Sequence, residues 1–337
     1  MSATRPDHLA VRGAIALATR APSVHNTQPW RWLVGDASVH LMADWSRHLP
    51  ATDPDGRDLL ISCGAALHHL TVALASYGWA GAVQRLPNPA DRAYLAALEP
   101  GPYLPSEQDI ALAAAIPKRR TDRRRFSSWP VPTGHLNLLL RRASRAGALL
   151  VPVTEPPIRR HLVRALAEAA GRQANSPGYD AELAHWTGRR TRTQDGVLAA
   201  STPAGPRWHG DTPMRQFTSG TLNESTVEDD DAGALLVLAT PDDDPRSRLR
   251  AGEAASIVLL TATDLMLASC PLSQALEVAG TRAAIQEHVL DGAAVPQLIL
   301  RIGWAPTAAE PLPESPRRPV HHVIGYLPGM APRRRQQ

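Results

Sequence analysis

A chain of 337 residues with 43% apolar and 20% charged residues has ordinary globular composition and length for two units with cores of their own, which excludes disorder as the starting point. The net charge of +4 is concentrated: residues 118–125 carry a local +5 and Arg333–Arg335 add +3, so the rest of the chain stands at −4 and offers no even basic face for a nucleic acid. Cys63 and Cys270 lie far apart in apolar patterns that read as helical and form no disulfide framework; with no apolar leader and no run of about 18 apolar residues, a soluble cytoplasmic protein off the membrane is expected.

In chain order, Val11, Ala14, Ile15 and Ala18 fall at helical spacing and predict a helix over Leu9–Thr19. Pro22 ends it near Ala21, and Trp30–Val34 alternates as a strand with Gly35-Asp36 as its turn. Residues 22–28 are therefore a helix-to-strand loop, carrying Ser23, His25, Asn26 and Gln28 between Pro22 and Pro29. Such a loop suits a flat polar ligand, although the same residue types also make ordinary solvated turns. A Ser23-His25 nucleophile is disfavoured, because no orienting carboxylate follows.

Residues 58–78 and 248–270 each predict a long helix, rich in small residues and apolar on most faces, as at the centre of a packed protein. They read as copies of one another, though Ala-rich buried helices resemble each other by composition alone. Strands are expected at Ala82–Leu86, Tyr94–Leu98, Ala234–Ala239 and Pro296–Gly303, with short helices at Glu107–Ile116 and Gly134–Gly147. The fold class is α+β, with helices covering sheets. The Pro/Gly-rich stretch Glu99–Pro105 divides a first half, 1–105, from a second, 106–337. Residues 187–233 lack periodicity but carry Trp208, Met214, Phe217 and Leu222, as a docked lid would.

Two arginine groups carry chemistry. Lys118-Arg119-Arg120-Thr121-Asp122-Arg123-Arg124-Arg125 presents guanidinium forks that match phosphate oxygens, and Arg317-Arg318 repeats the theme between Pro316 and Pro319. A solvated basic surface is the alternative for both. No metal site is expected: His68-His69 and His321-His322 are adjacent pairs that point apart, and Glu228–Asp231 reads as a solvated run.

The loop Arg20–Trp30, the arginine motif, Ser269–Leu272, the strand end Gly303-Trp304 and Arg317-Arg318-Pro319 together resemble the FMN-binding nitroreductase family, nearest its Acg-like branch, over almost the whole chain. Ala-Pro-Ser-x-x-Asn-x-Gln-Pro-Trp is similar to the family's flavin loop, and Arg-Arg-Thr-Asp-Arg to its Arg-x-Ser-x-Arg/Lys phosphate motif. The resemblance implies a phosphate held by Arg119, Arg120, Thr121 and Arg123 with Arg317 or Arg318. It implies a flavin ring lined by Pro22, Ser23, Val24, Asn26 and Gln28, with Pro271, Leu272, Ser273 and Gln274 at its reactive edge. The motifs depart from the family order: the first half has the loop without a preceding arginine motif, and the second has the motif without the loop. One chain is thus expected to mimic a nitroreductase homodimer with a single FMN, further pairing being left open. The implied activity is NAD(P)H-dependent reduction of nitroaromatics or quinones, with the flavin and no side chain as catalyst. FMN storage beneath a closed lid is the alternative. Ser273-Gln274 stands where many members have Glu-Gly, which weighs against ordinary reductase activity.

Overall fold

The computed structural model describes residues 4–189, 193–204, 208–217, 219–222, 231–306 and 309–329. The first part of the chain forms α1 (His8–Ala18), β1 (Trp30–Val34), β2 (Val39–Ala43), α2 (Arg57–Ser76), β3 (Trp79–Ala80), β4 (Val83–Arg85), β5 (Tyr94–Leu98) and β6 (Gly101–Pro102). There follow α3 (Glu107–Ala115), α4 (Thr133–Arg145), β7 (Leu149–Pro152), α5 (Pro156–Ala174), α6 (Tyr179–Trp186) and the short pair β8 (Trp208–His209) and β9 (Thr212–Pro213). The last part holds β10 (Ala234–Thr240), α7 (Pro245–Asp264), β11 (Ala268–Leu272), α8 (Gln274–Glu277), α9 (Ala279–Val289), β12 (Val295–Gly303), α10 (Val320–Val323) and β13 (Ile324–Tyr326).

Two sheets flank the paired helices α2 and α7. In the first, the order β1-β2-β5-β4 is antiparallel throughout; in the second, β7-β10-β12-β11 is antiparallel throughout. Strand for strand and helix for helix, α1-β1-β2-α2-β4-β5 matches α4-β7-β10-α7-β11-β12. The C-terminal strand β13 crosses the 105/106 division and pairs in parallel with β1, so the first sheet is completed by the end of the chain.

The packing explains the sequence pattern. Trp30 and Trp32 on β1 are fully buried among α1 and α2, together with Leu41, Leu67 and Leu70. The second sheet is covered on both faces, by α4 and α7 on one side and α5 and α9 on the other. This is why β10 and β12 read as continuous apolar runs. At the helix crossing, a Cβ on Gly64 would strike the Leu249 carbonyl, and one on Gly252 would strike the Ile61 carbonyl. Each glycine thus faces the residue three before its counterpart, a reciprocal contact that relates α2 to α7 by an approximate two-fold.

Three expectations change. The second central helix does not reach Cys270: it stops at Asp264, Met266 takes φ +63, and 268–272 pairs with β12 as an edge strand. Helices α5 and α6, not anticipated, occupy 156–186. By length and composition α2 could cross a membrane, against expectation, but most of it is buried as the central helix of the protein. Arg333–Arg335 and Glu228–Asp230 lie outside the described residues.

Candidate functional site

The loop behind α1 is held by its own polar groups. After Pro22, His25, Asn26 and Gln28 all take positive φ (46, 55 and 52°), a conformation costly for side chains other than Asn and Asp. Ser23 Oγ accepts from the Gln28 amide at 3.0 Å, and Ser62 Oγ on α2 accepts from the Val24 amide at 3.2 Å. The arginine motif is fixed from the other side, the Asp122 amide donating to the Ser269 carbonyl at 2.9 Å on β11.

Between loop and motif lies a cleft with two ends, which share Pro22, Ser23, Thr121 and Arg123 as walls. One end is apolar. Ile61 and Ala65 of α2 and Ala255 and Leu259 of α7 line it, Pro271–Gln274 forms an edge, and Pro213, Met214 and Phe217 come over from the covering segment. The other end is cationic, walled by Arg119, Arg120, Arg317 and Asn26 and covered by Gly196–Leu198 and Ser201. Both halves of the chain contribute to it.

Electrostatics set the cationic end apart. Arg119 is 4% exposed, and its Nε and Nη1 meet no partner among the described residues; Arg120 Nε and Arg317 Nε are likewise unpaired. Glu314 serves Arg20 and Arg120, each at 3.2 Å, whereas among the described residues no carboxylate lies within ion-pair distance of Arg119, Arg123 or Arg317. Burial, and then Arg120, Arg20 and Arg123, pushes the Arg119 guanidinium down to about 10; burial, and then Arg119, Arg20 and Arg120, pushes Arg317 down to about 9. Buried donors without acceptors and clustered like charges together call for an anion.

The expected site residues divide. Pro22, Ser23, Val24, Thr121, Arg123 and 271–274 line the apolar end, while Arg119, Arg120, Arg317 and Asn26 line the cationic end. Asn26 does not face the apolar end: its amide donates to the Gly196 and Pro316 carbonyls at 3.0 and 2.9 Å and accepts from Arg317 at 2.9 Å. Gln28, fully buried, lies off the cleft, bonded to the Gln194 carbonyl at 2.9 Å and the Arg318 amide at 2.8 Å. Arg318 turns to the Gln28 carbonyl and to Asp44, and joins neither end. The physical reason is common to both. The irregular chain at 194–196 and 316–318 has main-chain groups that no sheet or helix satisfies, and these side chains satisfy them.

The covering segment is only partly as expected. Met214 and Phe217 are buried over the cleft and the Arg123 guanidinium sits 5.2 Å from the Phe217 ring centre, but Trp208 is 52% exposed. Residues 190–192, 205–207, 218 and 223–230 of the expected lid lie outside the described residues.

Of three further lining groups, His25 was noted in the loop, whereas Arg215 and Asp58 were not singled out beforehand. His25 is buried with Nε2 unpaired, and burial, with Arg215 and Arg123, holds it neutral. Arg215 pairs with Glu277, which also accepts from Gln173 and Ser273 at 2.6 Å each, so the covering segment is anchored at the 271–274 edge. Asp58 has Oδ2 unpaired among the described residues; burial, then Asp53 and Glu277, pushes its carboxyl well above the usual range, and burial pushes Asp53 up to about 6.

A carboxyl with a raised native pKa keeps protons that the unfolded chain has released, so its contribution to stability is greatest at low pH and is lost as pH rises through the native value. Asp58→Asn, with no charge to bury, should gain on the unaltered protein as pH is raised from about 5 to about 8. Urea midpoints at both pH values measure the gap; one that does not widen removes the raised carboxyl.

No family model matches the chain. It is 45% identical over 323 residues to Rv3131 of Mycobacterium tuberculosis H37Rv, covering 95% of this chain and 92% of that protein. To acg of the same strain it is 36% identical over 316 residues, covering 93% and 95%. Both names carry a provisional assignment as NAD(P)H nitroreductases. Among solved structures, a nitroreductase with bound FMN from Bacteroides fragilis aligns with a TM-score of 0.40 at 14% identity, over 61% of this chain and 94% of that one. One from Desulfitobacterium hafniense, also with bound FMN, aligns at 0.40 and 12%, over 64% and 98%.

Proposed function

The chain belongs to the nitroreductase family that includes Rv3131 and acg, and from that membership we propose that its cleft binds one FMN, phosphate at the arginine end and ring at the apolar end. The observation that carries the reading is the set of unpaired guanidinium nitrogens on Arg119, Arg120 and Arg317 at one end of an apolar cleft. A phosphate dianion supplies the acceptors these donors lack, and the Thr121 hydroxyl adds a neutral bond. Ile61, Ala65, Ala255 and Leu259 offer a flat apolar floor, and the Pro271–Gln274 edge provides the polar rim.

When bound, FMN would supply two-electron chemistry, taking electrons from NAD(P)H for a nitroaromatic or quinone acceptor. The chain's own residues bind, orient and exclude water. Matching strand orders and the reciprocal Gly64–Gly252 contact support two nitroreductase-like halves, 1–105 and 106–337, fused in one chain. Loop and motif come from different halves, which is why one complete site per chain is expected.

A second reading, storage of FMN without turnover, is favoured by the covering segment. Met214 and Phe217 lie over the apolar end, and Arg215 ties that segment to Glu277. A nicotinamide needs one open ring face. Purified protein should carry one FMN per chain, and two would overturn the complementary halves. Anaerobic mixing with NADPH then separates the readings: prompt bleaching of the flavin supports the reductase, and bleaching by dithionite alone supports storage.

A further inference from the structure

The two-fold that relates α2 to α7 carries the FMN cleft onto a second cavity, of about 440 Å³, on the opposite side of the helix pair. Ser62 and Ala65, two before and one after Gly64, border the first cleft. Arg250 and Glu253, two before and one after Gly252, border the second. Arg85, on β4, stands where the first cleft has the edge strand β11.

This cavity is not built for a second flavin. Between α1 and β1 the chain spans 19–29, whereas between α4 and β7 it spans only 146–148, so the wall supplied by Pro22–Val24 has no counterpart. Arg85 and Glu253, paired through two hydrogen bonds of 2.7 Å, fill the side where Ala65 leaves room for a ring. What remains is cationic. Arg142, Arg145 and Arg250 converge on it, and among the described residues no carboxylate lies within ion-pair distance of any of them. Arg142 Nε is buried and unpaired, and the one carboxylate in the wall, Glu253, is taken by Arg85. His68 brings no charge, bonded to Ser256 Oγ at 2.7 Å and pushed down to about 4 by burial.

We propose that this second cavity is a binding site for a small phosphate-bearing anion, held by Arg142, Arg145 and Arg250. Three guanidinium groups supply the forked donors that phosphate oxygens accept. The site goes beyond the FMN reading and does not depend on it. The degenerate half keeps a pocket for phosphate chemistry after losing the loop that would hold a ring.

Inorganic pyrophosphate titrated calorimetrically into FMN-loaded protein tests it, because the FMN phosphate already fills the Arg119–Arg317 cluster. One saturable site is expected. The Arg145→Glu/Arg250→Glu variant, altered at two exposed positions outside the FMN cleft, should keep its FMN content and bind pyrophosphate weaker by about tenfold or more. Absence of saturable heat, or equal affinity in the variant, overturns the proposal. Should the purified chain carry no FMN, the titration is made on Arg119→Met/Arg317→Met protein, so that failure of the flavin reading and failure of this one are seen separately.

Discussion

Arg119→Met/Arg317→Met protein is expected to bind FMN about 10²- to 10⁴-fold more weakly, since each charge-assisted bond to a phosphate contributes about 1.5–3 kcal/mol. In flavin-free protein, Arg119→Met alone should be as stable as before, or more so, whereas Arg317→Met also removes bonds to the Asn26 side chain and the Arg20 carbonyl. Both guanidinium groups are lowered by burial and by their arginine neighbours, and neither has a carboxylate within ion-pair distance among the described residues. Replacing the Arg119 charge, whose Nε and Nη1 have no partner among the described residues, with an apolar side chain of similar length removes a desolvation penalty. Fluorescence titration with FMN and melting without it report the two halves of this prediction. An Arg119→Met protein that loses FMN affinity because it no longer folds would show a lowered melting temperature, the opposite of what the charge cluster requires.

The second large effect is at the helix crossing. Gly252→Val forces α7 away from the Ile61 carbonyl, and overpacking between backbones should destabilise the protein by about 3 kcal/mol or more. Gly64→Ala, directed at the Leu249 carbonyl, acts the same way from the other helix. Because Ile61, Ala65 and Ala255 line the apolar end of the cleft, separated helices should also release FMN. Gly171→Ala in α5 is the control. Nothing lies within 4 Å of its added methyl, so helix propensity should make that variant more stable by about 0.5–1 kcal/mol. Urea denaturation midpoints of the three variants distinguish crowding from a general intolerance of glycine replacement.

Much of this was legible in the residues. Periodicity located α1, β1, β5, β10 and β12 to within a residue or so, because each buries a single stripe or an entire strand. The overrun of the second helix to Cys270 has a simple cause: Leu265, Leu267, Cys270 and Leu272 continue an apolar pattern that a buried edge strand and a buried helix share. The arginine motif was readable because guanidinium clustering has few structural uses. Arg215 and Asp58 were not. Arg215 lies in a stretch without periodicity, 62 residues from the Glu277 it pairs with. Asp58 sits in the first turn of α2, where a carboxylate is ordinarily just a complement to the helix dipole. Gln28 and Arg318 show the reverse error. Their chemistry suits a ligand, yet they satisfy main-chain groups of irregular segments that a linear sequence does not bring together.

The parallel pairing of β13 with β1 also fixes an order of events during synthesis. The N-terminal sheet is laid down first, yet the outer edge of β1 stays open until Ile324–Tyr326 has left the ribosome, close to 300 residues after β1 itself. Until then a strand carrying Trp30 and Trp32 has an exposed edge, the kind of surface that invites pairing between nascent chains. A strand made close to 300 residues later therefore closes the first sheet begun, and premature termination before it would yield chains prone to join edge to edge.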